Sequence, residues 1–177
     1  MKTITVDEIA ESARKFLDGA TIKELKGITN AEMEAVYSLA FNFYRTGRYE
    51  DAEKLFNFLA LYDHLNAKYW MGVGAVRQVR KDFSGAVQAY GYASFLDLSN
   101  PKPQFHAAEC FLAIGDKRNA ASSLEALEEF CPKETEIGRE YRAKAAELRK
   151  LVGEEAFAAL RKEDEDAAAA KAAAAKA

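Results

Sequence analysis

The chain repeats on itself every 34 residues. Ala52, Ala86 and Ala120 share one phase, Phe56, Tyr90 and Leu124 follow in a second, and Leu59, Ala93 and Leu127 in a third. Tyr49 and Phe83 keep a register that Lys117 breaks, and Gly47 and Gly115 bracket Lys81. A small residue followed four places later by a large apolar one is what two packed helices need, with one surface allowing close approach and the other filling the gap. A helix–turn–helix unit of this length cannot bury its own apolar face, so neighbouring units must stack.

That period and pattern are the tetratricopeptide signature, and they predict an all-α, tetratricopeptide-repeat solenoid with a curved inner face suited to peptides. Three repeats are expected, over 33–66, 67–100 and 101–134, within a repeat region 31–134. The helix pairs turn near Gly47, Lys81 and Gly115, and Pro132 ends the last repeat because it cannot donate the next backbone bond. Segment 1–30 holds an amphipathic helix over Val6 to Leu17, with Val6, Ile9, Ala10, Ala13, Phe16 and Leu17 on one face and Gly19 as its stop. Thr29 or Asn30 caps the next helix, with Glu32 close behind. Segment 135–162 reads as a C-terminal capping helix, with Ile137, Tyr141, Ala145, Leu148 and Leu151 on its packed side. The acidic and Ala/Lys-rich tail, 163–177, is low-complexity and is expected to be solvated, with no face to bury.

Composition excludes several classes of function. At 177 residues the chain is 49% hydrophobic and 30% charged, far from a disordered composition. A net charge of -3 without a basic stripe argues against nucleic acid as a partner. No apolar run has the length of a signal peptide or of a bilayer span, so a cytoplasmic protein is expected, with no membrane partner. Cys110 and Cys131 read as small buried hydrophobes. His64 and His106 are far apart and lack partners at metal-ligand spacing. Phosphate-cradling, zinc-protease and nucleophile-elbow motifs are missing. Neither an enzyme nor a cofactor or metal is expected.

Function then falls to the first helix of each repeat. One face packs inward: Val36, Leu39, Ala40 and Phe43, then Trp70, Val73, Gly74 and Arg77, then Gln104, Ala107, Ala108 and Phe111. Arg77 and Gln104 depart from the apolar pattern and are expected to be partly exposed or internally paired. A second face at i, i+4 and i+7 points into the concave groove. It carries Tyr37, Phe41 and Tyr44, then Met71, Ala75 and Gln78, then Phe105, Glu109 and Leu112. Aromatic stripes at helical spacing are also commonly core, and the N-terminal helix is a candidate cover for the groove. A clamp for a terminal carboxylate would need Lys, Arg and Asn at these positions and finds none. An extended peptide with small apolar anchors fits better, with tyrosine hydroxyls and Gln78 free to meet its backbone.

Beyond the bare repeat, several stretches are similar to one family. Tyr37-Ser38-Leu39-Ala40-Phe41-Asn42-Phe43-Tyr44, continuing through Gly47-Arg48-Tyr49-Glu50-Asp51-Ala52-Glu53, resembles the opening repeat of the class II chaperones of bacterial type III secretion. So do Leu61-Tyr62-Asp63-His64 with Tyr69-Trp70-Met71-Gly72-Val73-Gly74, Phe105-His106-Ala107-Ala108-Glu109-Cys110, and the link Gly19-Ala20-Thr21-Ile22. The resemblance implies a cytoplasmic chaperone for the two hydrophobic translocator proteins, major and minor, which it keeps soluble, apart and export-competent. It implies that a short extended segment of each lies in the groove, against positions matching Tyr37, Phe41, Tyr44, Tyr49, Met71 and Phe105. It also implies that some members assist an AraC-type transcription activator and that dimers form through the N-terminal helix. A regulatory co-activator and a general tetratricopeptide scaffold stand as alternative functions, and the 163–177 tail has no counterpart in the resemblance.

Overall fold

Helical hairpins and left-handed turns set the course of the chain in the computed structural model, which describes residues 5–174. Two helices lead in, α1 (Val6–Leu17) and α2 (Ile22–Lys26). Three hairpins follow: α3 (Asn30–Arg45) with α4 (Tyr49–Tyr62), α5 (Ala67–Val79) with α6 (Phe83–Leu96), and α7 (Pro101–Ala113) with α8 (Lys117–Phe130). Two more helices close the array, α9 (Glu136–Val152) and α10 (Glu154–Ala174), and among the described residues there is no strand. Each hairpin turns through one left-handed residue at the same phase: Gly47 (φ 78°), Lys81 (φ 65°) and Gly115 (φ 82°). Glycine takes that conformation freely, whereas the Cβ of Lys81 opposes it. Entry into α3 is fixed by a reciprocal pair: Thr29 Oγ1 accepts from the Glu32 N–H at 3.2 Å, and Glu32 Oε2 accepts from the Thr29 N–H at 2.8 Å.

The 34-residue phases form the core. Ala52, Ala86 and Ala120 are fully buried, as are Phe56, Tyr90 and Leu124 four residues on. Close approach is required at Ala40, Gly74 and Ala108, where a Cβ added to Gly74 would meet the Tyr90 ring at 2.5 Å. Arg77 and Gln104 are internally paired. Arg77 Nε reaches Glu53 Oε1 at 3.3 Å, its Nη1 donates to the Gly85 carbonyl, and Gln104 Nε2 donates to Ser94 Oγ at 2.7 Å. Both cysteines are free and buried, and burial pushes the Cys110 thiol up to about 12.

Leu39 departs from expectation. It stands 47% exposed, although its equivalents one and two repeats on, Val73 and Ala107, are buried. Those positions are covered by the repeat before them, and no repeat precedes α3. The N-terminal helix does not supply the cover, because among the described residues α1 packs chiefly on α2. Hence it does not fold over the groove, and every described side chain on it, from Ala10 to Leu17, is exposed. The side chains of Val6 and Ile9, expected on its apolar face, lie outside the described residues, as do residues 1–4 and 175–177.

The C-terminal region differs from its reading as a single capping helix, while the described side chains of 163–174 are exposed, as expected of the tail. Gly153, at φ 89° and ψ 141°, breaks it into two helices, and α10 runs from Glu154 to Ala174. Its first turns pack on α8 and α9, burying Phe157 and Leu160. An ion pair between Arg118 and Glu163 ties it further along. Sparse anchors in an alanine-rich sequence are enough to dock a helix when the preceding repeat leaves an apolar end to cover.

Candidate peptide-binding groove

The first helices of the repeats line up along one side, and an open cavity of ≈ 510 Å³ lies between α3 and α5 and reaches the start of α7. Its apolar wall is built from Tyr37, Phe41 and Tyr44 of α3, Phe56 of α4, and Met71, Gly72 and Ala75 of α5. Tyr37 organises the wall, lying parallel to Phe41 at 6.3 Å between centroids and edge-on to Phe56 at 5.7 Å. Gly72 has no room for a side chain, since a Cβ there would sit 2.3 Å from the Phe56 ring. Phe41 stays 45% exposed beside Tyr37. Burial pushes the phenols of Tyr37 and Tyr44 up, so both remain neutral hydroxyls able to donate to a bound backbone.

Of the ten groove residues expected from sequence, Tyr37, Phe41, Tyr44, Met71 and Ala75 meet in this cavity. Tyr49 stands outside its lining and supports Tyr44 edge-on at 5.8 Å. Gln78 and Glu109 are engaged with the protein itself. Gln78 Oε1 accepts from Tyr90 Oη at 2.7 Å, and its Nε2 donates to Glu109 Oε2 at 3.2 Å. Glu109 Oε2 also meets His106 Nδ1 at 2.8 Å. Burial pushes the Glu109 carboxyl up, but the hydrogen bonds from His106 and Gln78 outweigh it and hold it below the usual carboxylate range. Gln78 is therefore committed to this network, contrary to the expectation that it is free for a peptide. Phe105 and Leu112 pack into the C-terminal core cluster, Phe105 meeting Tyr141 of α9 edge-on at 5.4 Å.

Sequence reasoning missed the polar rim. Asn66, Lys68, Asp97, Asn100 and Lys102 line the same cavity as the aromatic wall, so the groove does carry Lys and Asn. The signal was present, because Asn66 and Asn100, and Lys68 and Lys102, are one repeat apart. Lys68 and Lys102 stand one turn before Met71 and Phe105 on the same helix face, and Asn66 and Asn100 stand just outside α5 and α7. Asn66 and Asn100 cap those helices, accepting from the Lys68 and Lys102 N–H groups at 3.2 and 3.1 Å. Among the described residues no group of three His, Cys, Asp or Glu is placed to hold a metal ion.

Stacked helical hairpins with an aromatic groove and a hydrogen-bonding rim define a peptide-binding solenoid. The tetratricopeptide-repeat family profile matches residues 33–66 and 67–100. Low calcium response locus protein H of Yersinia pestis is 38% identical over 137 residues, spanning 77% of this chain and 82% of that protein. The Yersinia enterocolitica type III secretion chaperone SycD, solved with a peptide of the translocator YopD, is 34% identical with a TM-score of 0.66, over 71% of this chain and 95% of that one. PcrH of Pseudomonas aeruginosa, solved with the chaperone-binding region of PopD, is 33% identical with a TM-score of 0.67, over 71% and 94%. The chain belongs to this family, the tetratricopeptide-type chaperones of type III secretion translocators.

Proposed function

We propose that this chain is a cytoplasmic, non-catalytic chaperone that holds an extended segment of a type III secretion translocator in the groove between α3, α5 and α7. The observation that carries the reading is the open cavity walled by Tyr37, Phe41 and Tyr44 together with Met71 and Ala75. The major and minor translocators of one secretion system are the expected clients, each held soluble and apart from the other. The relatives' names favour this chaperone role over transcriptional co-activation. A homodimer through α1 is supported by the uncovered Phe16 and Leu17.

Small apolar anchors each contribute about 1.5–3 kcal/mol on burial, against the cost of ordering an extended segment. Affinity for a short peptide should therefore be about micromolar. Co-expression with a translocator from the same secretion locus tests the reading, comparing wild type with Phe41→Ala/Met71→Ala. Co-purification with the wild type and its loss in a variant of unchanged helicity is the expected result. A complex that survives equally in both would move the site away from this groove.

A further inference from the structure

Two lysines occupy equivalent places on the groove rim, one repeat apart, yet only one is neutralised. Lys68 Nζ is held by both carboxylate oxygens of Glu34 at 2.9 Å and lies 3.7 Å over the Tyr37 ring. Glu34 stands one repeat before Lys68. The residue one repeat before Lys102 is Lys68 itself, a like charge in the place where an acid would be needed. Among the described residues Lys102 has no carboxylate within ion-pair distance. Asp97, on the same cavity, accepts instead from Ser99 Oγ at 2.8 Å. The repeat symmetry thus leaves one unmatched ammonium group on the rim of an apolar groove.

The groove continues past this point. A second depression of ≈ 490 Å³ begins at Lys102 and runs on to Glu136, Ile137, Glu140 and Tyr141 of α9 and the turn before it. A bound chain therefore passes Lys102 and does not stop there. Beyond Lys102 the wall turns acidic, and Glu136 and Glu140 would repel a carboxylate placed farther along.

Resting on the groove reading above, we infer that Lys102 sets the register of the bound segment by pairing with an acidic side chain inside it. That side chain is accepted at one position, flanked by the residues that enter the aromatic pocket. An ion pair of this exposure is worth about a two- to fivefold change in affinity, enough to choose among registers that present similar apolar anchors.

The test is a substitution array of the PopD chaperone-binding region, probed with the full-length protein as wild type, Lys102→Gln and Lys102→Glu. Lys102 is exposed, so neither change disturbs packing, and circular dichroism checks this. The expected result has three parts: a two- to fivefold preference for Asp or Glu over Asn or Gln at one position, its loss in K102Q, and a shift towards Lys or Arg in K102E. An identical profile on all three proteins overturns the assignment. So does a preference that disappears when the peptide's C-terminus is amidated, which would make the partner a terminal carboxylate. Failure of every peptide to bind the wild type would instead sink the groove reading itself, and this inference with it.

Discussion

The helices at the two ends of the solenoid, α1 and α10, make opposite use of their apolar residues. The sequence of α1 is the cleaner amphipathic one, and its described apolar side chains are all exposed, Leu17 at 85%. The sequence of α10 is dominated by alanine and charge, and it buries Phe157 completely beneath α8 and α9. Arg149 of α9 reinforces that seat, its guanidinium 3.6 Å from the Phe157 ring centroid and its Nε 2.9 Å from Glu154. Apolar periodicity reports that a helix face needs a cover. It does not report whether the cover lies in the same chain. At the C-terminal end the third repeat supplies it, whereas at the N-terminal end nothing among the described residues does.

Truncating the same ring at each end is the sharpest test. Phe157→Ala should cost about 3–5 kcal/mol, the range for a fully buried aromatic, read as a shift in the urea midpoint. A smaller effect is expected from Gly153→Ala. Open space surrounds a Cβ there, so only backbone strain acts, about 1–3 kcal/mol, and thermal unfolding would register it. Ending the chain after Lys162 should cost less than about 1 kcal/mol, because it removes chiefly the exposed Arg118–Glu163 pair. Phe16→Ala should move unfolding of the dilute protein by no more than about 0.5 kcal/mol. If Phe16→Ala instead proved as damaging as Phe157→Ala, α1 would be packed in solution, and the contrast between the ends would collapse. If it left stability unchanged but altered a concentration-dependent sedimentation profile, the missing cover would be a second copy.

The repeat phases made the core legible before any coordinates. Ala52, Phe56 and Leu59, with their equivalents, are buried as their spacing demands. Leu39 shows the boundary of that logic, since a repeat rule holds only where a preceding repeat exists. The groove was legible where helix periodicity alone positions side chains, as for Tyr37, Phe41, Tyr44, Met71 and Ala75. It failed at Phe105, which has the same phase but meets α9, a helix outside the repeat. It failed too at Gln78 and Glu109, which bond to each other across α5 and α7 and are held further by Tyr90 of α6 and His106 of α7. Rim residues such as Lys102 were missed because the face was started one turn too late, at Phe105, although Lys102 and Glu109 are seven residues apart on α7. The docking of α10 was obscured by its alanines, which surround just two large buried anchors, Phe157 and Leu160, one turn apart.

Nearly all the packing in the hairpin region joins helices adjacent along the chain, from α3 against α4 to α7 against α8. Arrays built this way fold quickly, and their stability accrues repeat by repeat. Every residue of the cavity has been made once synthesis reaches Lys102. Residues 103–177 at least are still to follow, and at about 5–20 residues per second these alone take roughly 4–15 s to add. The receiving surface can thus take shape on the ribosome several seconds before the chain is released.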